Sequence, residues 1–251
     1  MRFVVLGDGV VGRQVIDRLL ETGNEAVPLL ARENADDGRS TRLAEMLEGA
    51  TAVIDATDAL NFEEERDSWH LGLPELMEAE AAAAVGHHIV LSVVGSSRLN
   101  APPCFATARS RERLVAVAGV PFTILRATQL FEDLARIADA STQTGTVHLS
   151  SAPMQPIASA DVAEALVKFA TASPTYGTTE IAGPERAPLA EFVGTWLGAW
   201  DDPRMIAVSR DAPYFGFPLT EMSLVPGADA AIQPVRLDDW LAGVMRPTHG
   251  W

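Results

Sequence analysis

Three glycines near the start of the chain have the spacing G-x-G-x-x-G, which is typical of a turn that binds the phosphates of a dinucleotide. Gly7 permits the tight turn, Gly9 lets a pyrophosphate approach the backbone, and Gly12 lets the next helix pack closely. The alternative is a glycine turn needed only for packing. The residues predicted to bind a cofactor here are Gly7, Asp8, Gly9, Val10, Val11 and Gly12. We expect the carboxylate of Asp8 to point to solvent, because it would repel phosphates.

A single arginine bears on which dinucleotide would bind. Arg32 follows the second predicted strand, about where specificity for the ribose is set in dinucleotide-binding folds. An acidic residue there would bind a 2′-hydroxyl, whereas a guanidinium can neutralise a 2′-phosphate. Glu33 beside it leaves open that Arg32 is simply an exposed loop residue. The position favours NADP over NAD.

The glycine turn is the first of a series of alternating strands and helices. Short apolar runs predict buried strands, listed here by number: 3–6, 26–30, 52–54, 88–94, 122–125, 146–149 and 178–182. Helical periodicity predicts six helices. The first starts at residue 10, the second includes residues 43–47, and the others cover about 74–84, 108–118, 131–140 and 160–172. This alternation predicts the α/β class, with a doubly wound parallel sheet of the Rossmann type.

The character of the sequence changes after Gly183 and Pro184, where Pro, Trp and Phe become more frequent and periodicity weakens. We therefore predict a dinucleotide-binding domain over residues 1–182 and a small C-terminal substrate-binding lobe over residues 183–251.

The charge and cysteine content exclude several classes of protein. The chain has 251 residues and a net charge of −15, so nucleic acid and anionic membranes would be repelled and are not expected partners. Cys104 is the only cysteine, which excludes an internal disulfide and a cysteine-rich zinc site. The first apolar run is too short for a signal peptide or a membrane span. We expect a cytoplasmic protein with a small-molecule substrate, and a homodimer is compatible with this surface.

Several segments, in order, resemble the NmrA-like group of atypical short-chain dehydrogenases/reductases. They are AVIDAT at 52–57, HHIVLSVVG at 87–95, GVPFTILRATQ at 119–129, QPI at 155–157, DVA at 161–163 and AGP at 182–184. The resemblance implies a nicotinamide cofactor, NADP or NAD, with Ala56, Thr57 and Ser92 beside it. It covers most of residues 1–185 and does not fix a substrate.

The sequence departs from that group at the residues that transfer protons. Its tyrosine and lysine, spaced Tyr-x-x-x-Lys, fall on Cys104 and Ala108, and the rest of the chain has only Tyr176, Tyr214 and Lys168. In the group's standard mechanism the tyrosine passes a proton to the substrate oxygen and the lysine lowers its pKa. We therefore do not expect reduction of a simple ketone by that route. The glycine motif is also one residue shorter than usual.

Other residues at strand ends are candidates for substrate contact. Ser92 ends the strand that faces the crevice, so we predict it as a catalytic or ligand-binding residue, with a structural role as the alternative. The residues predicted to contact substrate are Gly95, Gln129, Phe131 and Phe215. Cys104 is better explained as a small apolar residue than as a nucleophile.

Three function classes remain open. The first is a nicotinamide-dependent oxidoreductase that acts on a quinone or conjugated carbonyl, as some NmrA-like proteins without the Tyr-Lys pair do. The second is a non-redox enzyme on the same scaffold, such as a cyclase, isomerase or dehydratase. The third is a regulatory protein that senses a dinucleotide. No metal is expected.

Overall fold

A seven-stranded parallel sheet forms the centre of the molecule. The computed structural model describes residues 1–29, 39–57, 72–98 and 105–244. The described strands are β1 Arg2–Leu6, β2 Glu25–Leu29, β3 Ala52–Asp55, β4 His88–Val93, β5 Phe122–Ala127, β6 Thr142–Gln143, β7 Thr146–Leu149, β8 Pro153–Met154, β9 Thr178–Ala182, β10 Ala187–Pro188, β11 Met205–Val208 and β12 Ala231–Ile232. The central sheet has the order β12-β9-β5-β4-β3-β1-β2.

Helices cover both faces of this sheet. The described helices are α1 Val10–Glu21, α2 Arg39–Leu47, α3 Leu73–Ala82, α4 Ala106–Val117, α5 Asp133–Ala140, α6 Ser159–Ala170, α7 Leu189–Ala199 and α8 Leu237–Gly243. In β1, Phe3 and Val5 pack in the cluster that contains α1 and α6 residues. Val4 and Leu6 pack in the opposite cluster, which holds residues of α2, α3 and α4. Burial on both faces explains why these strands are continuous apolar runs, and it confirms the predicted Rossmann-type α/β fold.

The strand order creates a crevice beside the glycine turn. From β1 the chain goes to β2 on one side and then to β3 on the other side of β1. Open α/β sheets bind ligands outside the carboxyl ends of their strands at such a switch point. Here these ends lead into Gly7 after β1 and Ala56 after β3.

A smaller assembly of strands and helices packs beside the carboxyl ends of β4 and β5. A three-stranded sheet, β11-β7-β6, and a two-stranded ribbon, β10-β8, accompany α5, α7 and α8. Its core contains Phe131, Leu189, Phe192, Tyr214 and Leu237.

The strand predicted at 146–149 has those bounds, but its expected place in the central sheet is wrong. Thr144 and Gly145 adopt positive φ and turn β7 back antiparallel to β6, so β7 enters the small sheet. Periodicity alone cannot say which sheet a strand joins. The domain boundary at residue 182 stays a prediction. Each sheet contains strands from both sides of this residue: the small sheet combines β6 and β7 with β11, and the central sheet includes β12.

Candidate functional site

The three glycines of the first turn have different physical roles. Gly7 has a φ of +101°, and a Cβ there would lie 2.7 Å from the carbonyl oxygen of Ala56. A Cβ on Gly12 would lie 2.0 Å from the carbonyl oxygen of Gly7. Gly9, in contrast, has an ordinary φ of −67°, and a Cβ there would meet nothing within 4 Å. Packing therefore requires Gly7 and Gly12, whereas Gly9 leaves open space above the turn.

Helix α1 begins without a capping side chain. Its N-cap residue is Gly9, and the described first turn carries no acidic residue. Unpaired N–H groups and the positive end of the helix dipole favour an anion at such a terminus. Asp8 is exposed, and its carbonyl oxygen accepts a hydrogen bond of 2.5 Å from Nη1 of Arg13. Val11 is buried and Val10 packs against the core, so these side chains support the turn from below.

Hydrogen bonds fix the segment after β3 beside this turn. Asp55 is 1% exposed, and its Oδ2 lies 2.5 Å from Nη2 of Arg111 in α4. Thr57 donates to Oδ1 of Asp55 from its backbone N–H, at 3.1 Å, and from its hydroxyl. Burial opposes ionisation of Asp55, but the charge of Arg111 and these hydrogen bonds hold its pKa below the usual value. Ala56 is buried against Gly7 and Thr57 is half-buried.

A buried ionic network surrounds Ser92. The Ser92 hydroxyl donates to Oε1 of Glu112 in α4 at 2.5 Å, and the Ser96 hydroxyl donates to the same oxygen at 3.0 Å. Arg126 of β5 donates from Nε at 2.8 Å and from Nη2 at 2.6 Å, one bond to each oxygen of Glu112. Nη1 of Arg126 also lies 3.9 Å from Glu180. Three side chains therefore converge on one carboxylate.

This network determines what Ser92 can offer a ligand. Burial opposes ionisation of Glu112, but the hydrogen bonds from Arg126 and Ser92 outweigh it and lower the pKa of Glu112. An ionised carboxylate can only accept hydrogen bonds. The single proton of Ser92 is therefore held by Glu112, and the hydroxyl has lone pairs, but no proton, for a ligand.

Two of the predicted substrate residues lie beyond the carboxyl ends of neighbouring strands. Gly95 follows β4 with a φ of +90°, and a Cβ there would lie 2.7 Å from the carbonyl oxygen of Ser223. The segment around Ser223 thus covers Gly95. Gln129 follows β5 and its side chain is 1% exposed.

The two predicted aromatic contacts belong to the smaller assembly. Phe131 is 1% exposed and its ring centroid lies 5.7 Å from that of Trp240, so its ring packs in the core of the smaller assembly. Phe215 is half-buried, with its ring edge-on to Tyr214 at 4.7 Å and the guanidinium of Arg136 6.0 Å from its centroid. Among the four predicted substrate residues, Gly95, Gln129 and Phe131 are thus buried and Phe215 is half-buried, and their contact with a substrate stays a prediction.

Neither tyrosine lies at the carboxyl ends of the central strands, where the glycine turn is. Tyr176 is 64% exposed, and its ring contacts Phe122 at the amino end of β5. Tyr214 is buried in the core of the smaller assembly. Lys168 lies in the last turn of α6. Ala108, where the resembled group has its lysine, is 1% exposed.

Several expectations concern other parts of the chain. Arg32 and Cys104 lie outside the described residues. Within the described ranges, no group of three or more His, Cys, Asp or Glu side chains could hold a metal ion. No helix in the described part of the chain is long and apolar enough to cross a membrane.

His88 is fully buried, with Nδ1 3.0 Å from both carboxylate oxygens of Glu80.

Sequence reasoning missed the ionic residues Asp55, Arg111, Glu112 and Arg126. One indication was available, because Arg126 interrupts the apolar strand FTILRA and a buried arginine requires a partner. Arg111 and Glu112 also lie between Ala108 and Val115 on the buried face of α4.

Comparison with known proteins gives structural neighbours only. No protein-family model matches the chain, and no curated protein matches it in sequence. WbmH of Bordetella bronchiseptica, solved with NAD+, is 15% identical over 96% of each chain, with a TM-score of 0.69. MoeE5, solved with UDP-glucose and NAD, is 17% identical over 99% of this chain and 95% of its own, with a TM-score of 0.67.

The NADPH-dependent quinone oxidoreductase QOR2 of Escherichia coli, solved with NADPH, is 17% identical. The match covers 82% of this chain and 77% of that one, with a TM-score of 0.64. Likeness at these identities establishes the fold alone: the chain has the Rossmann-type architecture of these proteins.

Proposed function

We propose that this chain binds a nicotinamide dinucleotide, NADPH in preference to NADH, with its pyrophosphate at the start of α1. The observation that carries the proposal is the contrast between Gly9, which leaves open space, and Gly7 and Gly12, which packing requires. If the turn served packing alone, position 9 would not require glycine, because a Cβ there would contact nothing. The described residues therefore fit a dinucleotide.

The surroundings of the turn support an anionic ligand. The uncapped N-terminus of α1 supplies backbone N–H donors, and Arg13 adds a positive charge beside Asp8. Ala56 and Thr57 form the other wall, held in place through Asp55. The resemblance to NmrA-like proteins, and the nucleotides named with the structural neighbours, agree with this assignment.

We further propose that the chain is an oxidoreductase acting on a quinone or a conjugated carbonyl. A bound reduced nicotinamide supplies a hydride. Neither Ser92 nor the two tyrosines would protonate the acceptor, because the proton of Ser92 is held by Glu112 and both tyrosines lie elsewhere. Quinones and conjugated carbonyls suit such a site, since hydride addition gives a delocalised anion that water can protonate.

A panel of quinones and enones, assayed for NADPH and NADH oxidation, tests this proposal. We expect turnover with at least one acceptor and none with simple ketones. Ser92→Ala should keep turnover within about threefold of wild type, because a general acid is worth roughly 10²–10⁴ and Ser92 supplies no proton. Nucleotide binding without turnover of any acceptor would refute the oxidoreductase assignment and favour a dinucleotide-sensing protein. Turnover of an acceptor without nucleotide oxidation would favour a non-redox enzyme.

A further inference from the structure

Two adjacent buried side chains after β5 have polar atoms without hydrogen-bond partners. Thr128 is 2% exposed and Gln129 is 1% exposed. Oγ1 of Thr128 and both amide atoms of Gln129, Oε1 and Nε2, have no partner among the described residues. The backbone of Gln129 is engaged, since its carbonyl oxygen accepts a bond of 2.9 Å from Ile157. Buried polar groups are nearly always paired, so this amide requires an explanation.

The segment that carries Gln129 packs beside the glycine helix. Ala127 and Leu130, which flank Thr128 and Gln129, pack in the same hydrophobic cluster as Val11 of α1. The end of β5 and the start of α1 therefore share one core.

Hydrogen bonds through Ser159 also connect α1 with the segment that follows Gln129. Nε2 of Gln14 in α1 donates to the Ser159 hydroxyl at 3.0 Å, and that hydroxyl donates to Glu132 at 2.5 Å. Glu132 comes three residues after Gln129 in the chain. A ligand held at the glycine turn would cross the ends of β3 and β4, about 14 Å at the usual strand spacing, to meet Gln129.

The amide of Gln129 limits which chemical group of a ligand could pair with it. A glutamine amide has donors on nitrogen and an acceptor on oxygen, and both are unpaired here. A second primary amide satisfies both at once, in a planar pair of two hydrogen bonds. A quinone offers only acceptors and would leave Oε1 unpaired. The side chain can turn toward a ligand without breaking a hydrogen bond to the described residues.

We infer that Gln129 binds the carboxamide of the nicotinamide and so selects the pyridine end of the dinucleotide. This inference rests on the proposed function. It assigns Gln129 to the cofactor rather than to the substrate, and it makes Gln129 a specificity-determining residue that takes no part in proton transfer.

Analogues of the dinucleotide test the inference without an activity assay. Dissociation constants would be measured by calorimetry for the oxidised nucleotide that binds more tightly, NADP+ or NAD+, and for its 3-acetylpyridine analogue. The acetyl group keeps the carbonyl acceptor and lacks the N–H donors. The corresponding ADP-ribose fragment, which has no pyridine, reports the phosphate site and the fold.

In wild type we expect the carboxamide form to bind about tenfold more tightly than the acetyl form, the ratio for one lost hydrogen bond. Gln129→Leu should bring this ratio to about one with unchanged fragment affinity. Gln143→Leu, an exposed glutamine on β6, is the matched control and should keep the tenfold ratio.

A wild-type ratio below about twofold, or a ratio that persists in Gln129→Leu, would overturn the inference and leave the proposed function intact if the fragment still binds. Failure of the fragment and both nucleotides to bind wild type would overturn both.

Discussion

Replacing Glu112 by leucine removes the centre of the buried ionic network. Arg126 then loses both of its short hydrogen bonds, and among the described residues it keeps Glu180, at 3.9 Å. Ser92 and Ser96 lose their common acceptor. The side chains of Arg126 and Glu112 are only 14% and 7% exposed, so water cannot readily replace the missing partner.

The expected loss follows from these contacts. Removing one partner of a buried ion pair costs about 3–5 kcal/mol, because the other charge stays buried without compensation. For a chain of this size, 1 kcal/mol corresponds to about 2–4 °C. The Tm of Glu112→Leu should therefore fall by about 6–20 °C. The double variant Glu112→Leu/Arg126→Met removes both charges and should recover most of the loss.

Urea denaturation of the two single variants and the double variant measures the coupling directly. Glu191→Leu, an exposed glutamate on α7, is the control and should change the unfolding free energy by less than about 0.5 kcal/mol. Because the pKa of Glu112 is lowered in the folded state, its stabilisation is present at neutral pH. It is lost as pH falls through the folded pKa. A Glu112→Leu variant within about 1 kcal/mol of wild type at pH 7 would refute the reasoning.

Three further predictions follow from single residues. Gly12→Ala should lower the unfolding free energy by about 1–3 kcal/mol in urea, because its Cβ would lie 2.0 Å from the backbone of Gly7; a stability equal to wild type would contradict the packing role. Burial lowers the pKa of His88, but the carboxylate of Glu80 outweighs burial, so the net shift of this pKa is upward. The protonated imidazole therefore stabilises the folded state fully below the ordinary pKa of 6.5, and this contribution is lost as pH rises through the folded pKa. The stability advantage of wild type over His88→Leu should therefore be larger at about pH 6 than at about pH 9, and the opposite trend would exclude a stabilising imidazolium. Arg32→Ala should raise the Kd for NADPH about tenfold and leave that for NADH nearly unchanged, whereas equal losses would defeat the 2′-phosphate assignment.

The fold could be predicted because burial on both faces of a parallel sheet leaves a simple record in sequence. The strands 52–55 and 88–93 are uninterrupted apolar runs apart from their ends and Ser92, and the helices between strands carry apolar stripes. The place of β7 could not be predicted. A two-residue turn at Thr144 and Gly145 decides it, and the apolar pattern of the strand is the same in either sheet.

The site was predictable only where one short segment contains the whole arrangement. The glycine turn spans six residues and its spacing reflects its geometry. The pairs Asp55–Arg111 and Ser92–Glu112 join residues far apart in sequence, so only the folded chain reveals them. The unpaired amide of Gln129 is likewise invisible in sequence, because satisfaction of a polar group depends on its neighbours in space.

Calorimetric titration of NADPH into wild type and Gly9→Leu tests the central claim most directly. A Cβ at position 9 would meet nothing within 4 Å and suits the local φ, so the variant should stay folded, at a cost of about 1 kcal/mol for the changed N-cap. It should nevertheless bind NADPH at least about a hundredfold more weakly, because the side chain fills the space above the amides of α1. Absence of binding to wild type, or equal affinity in a folded Gly9→Leu, would contradict the proposal that a dinucleotide rests on this turn.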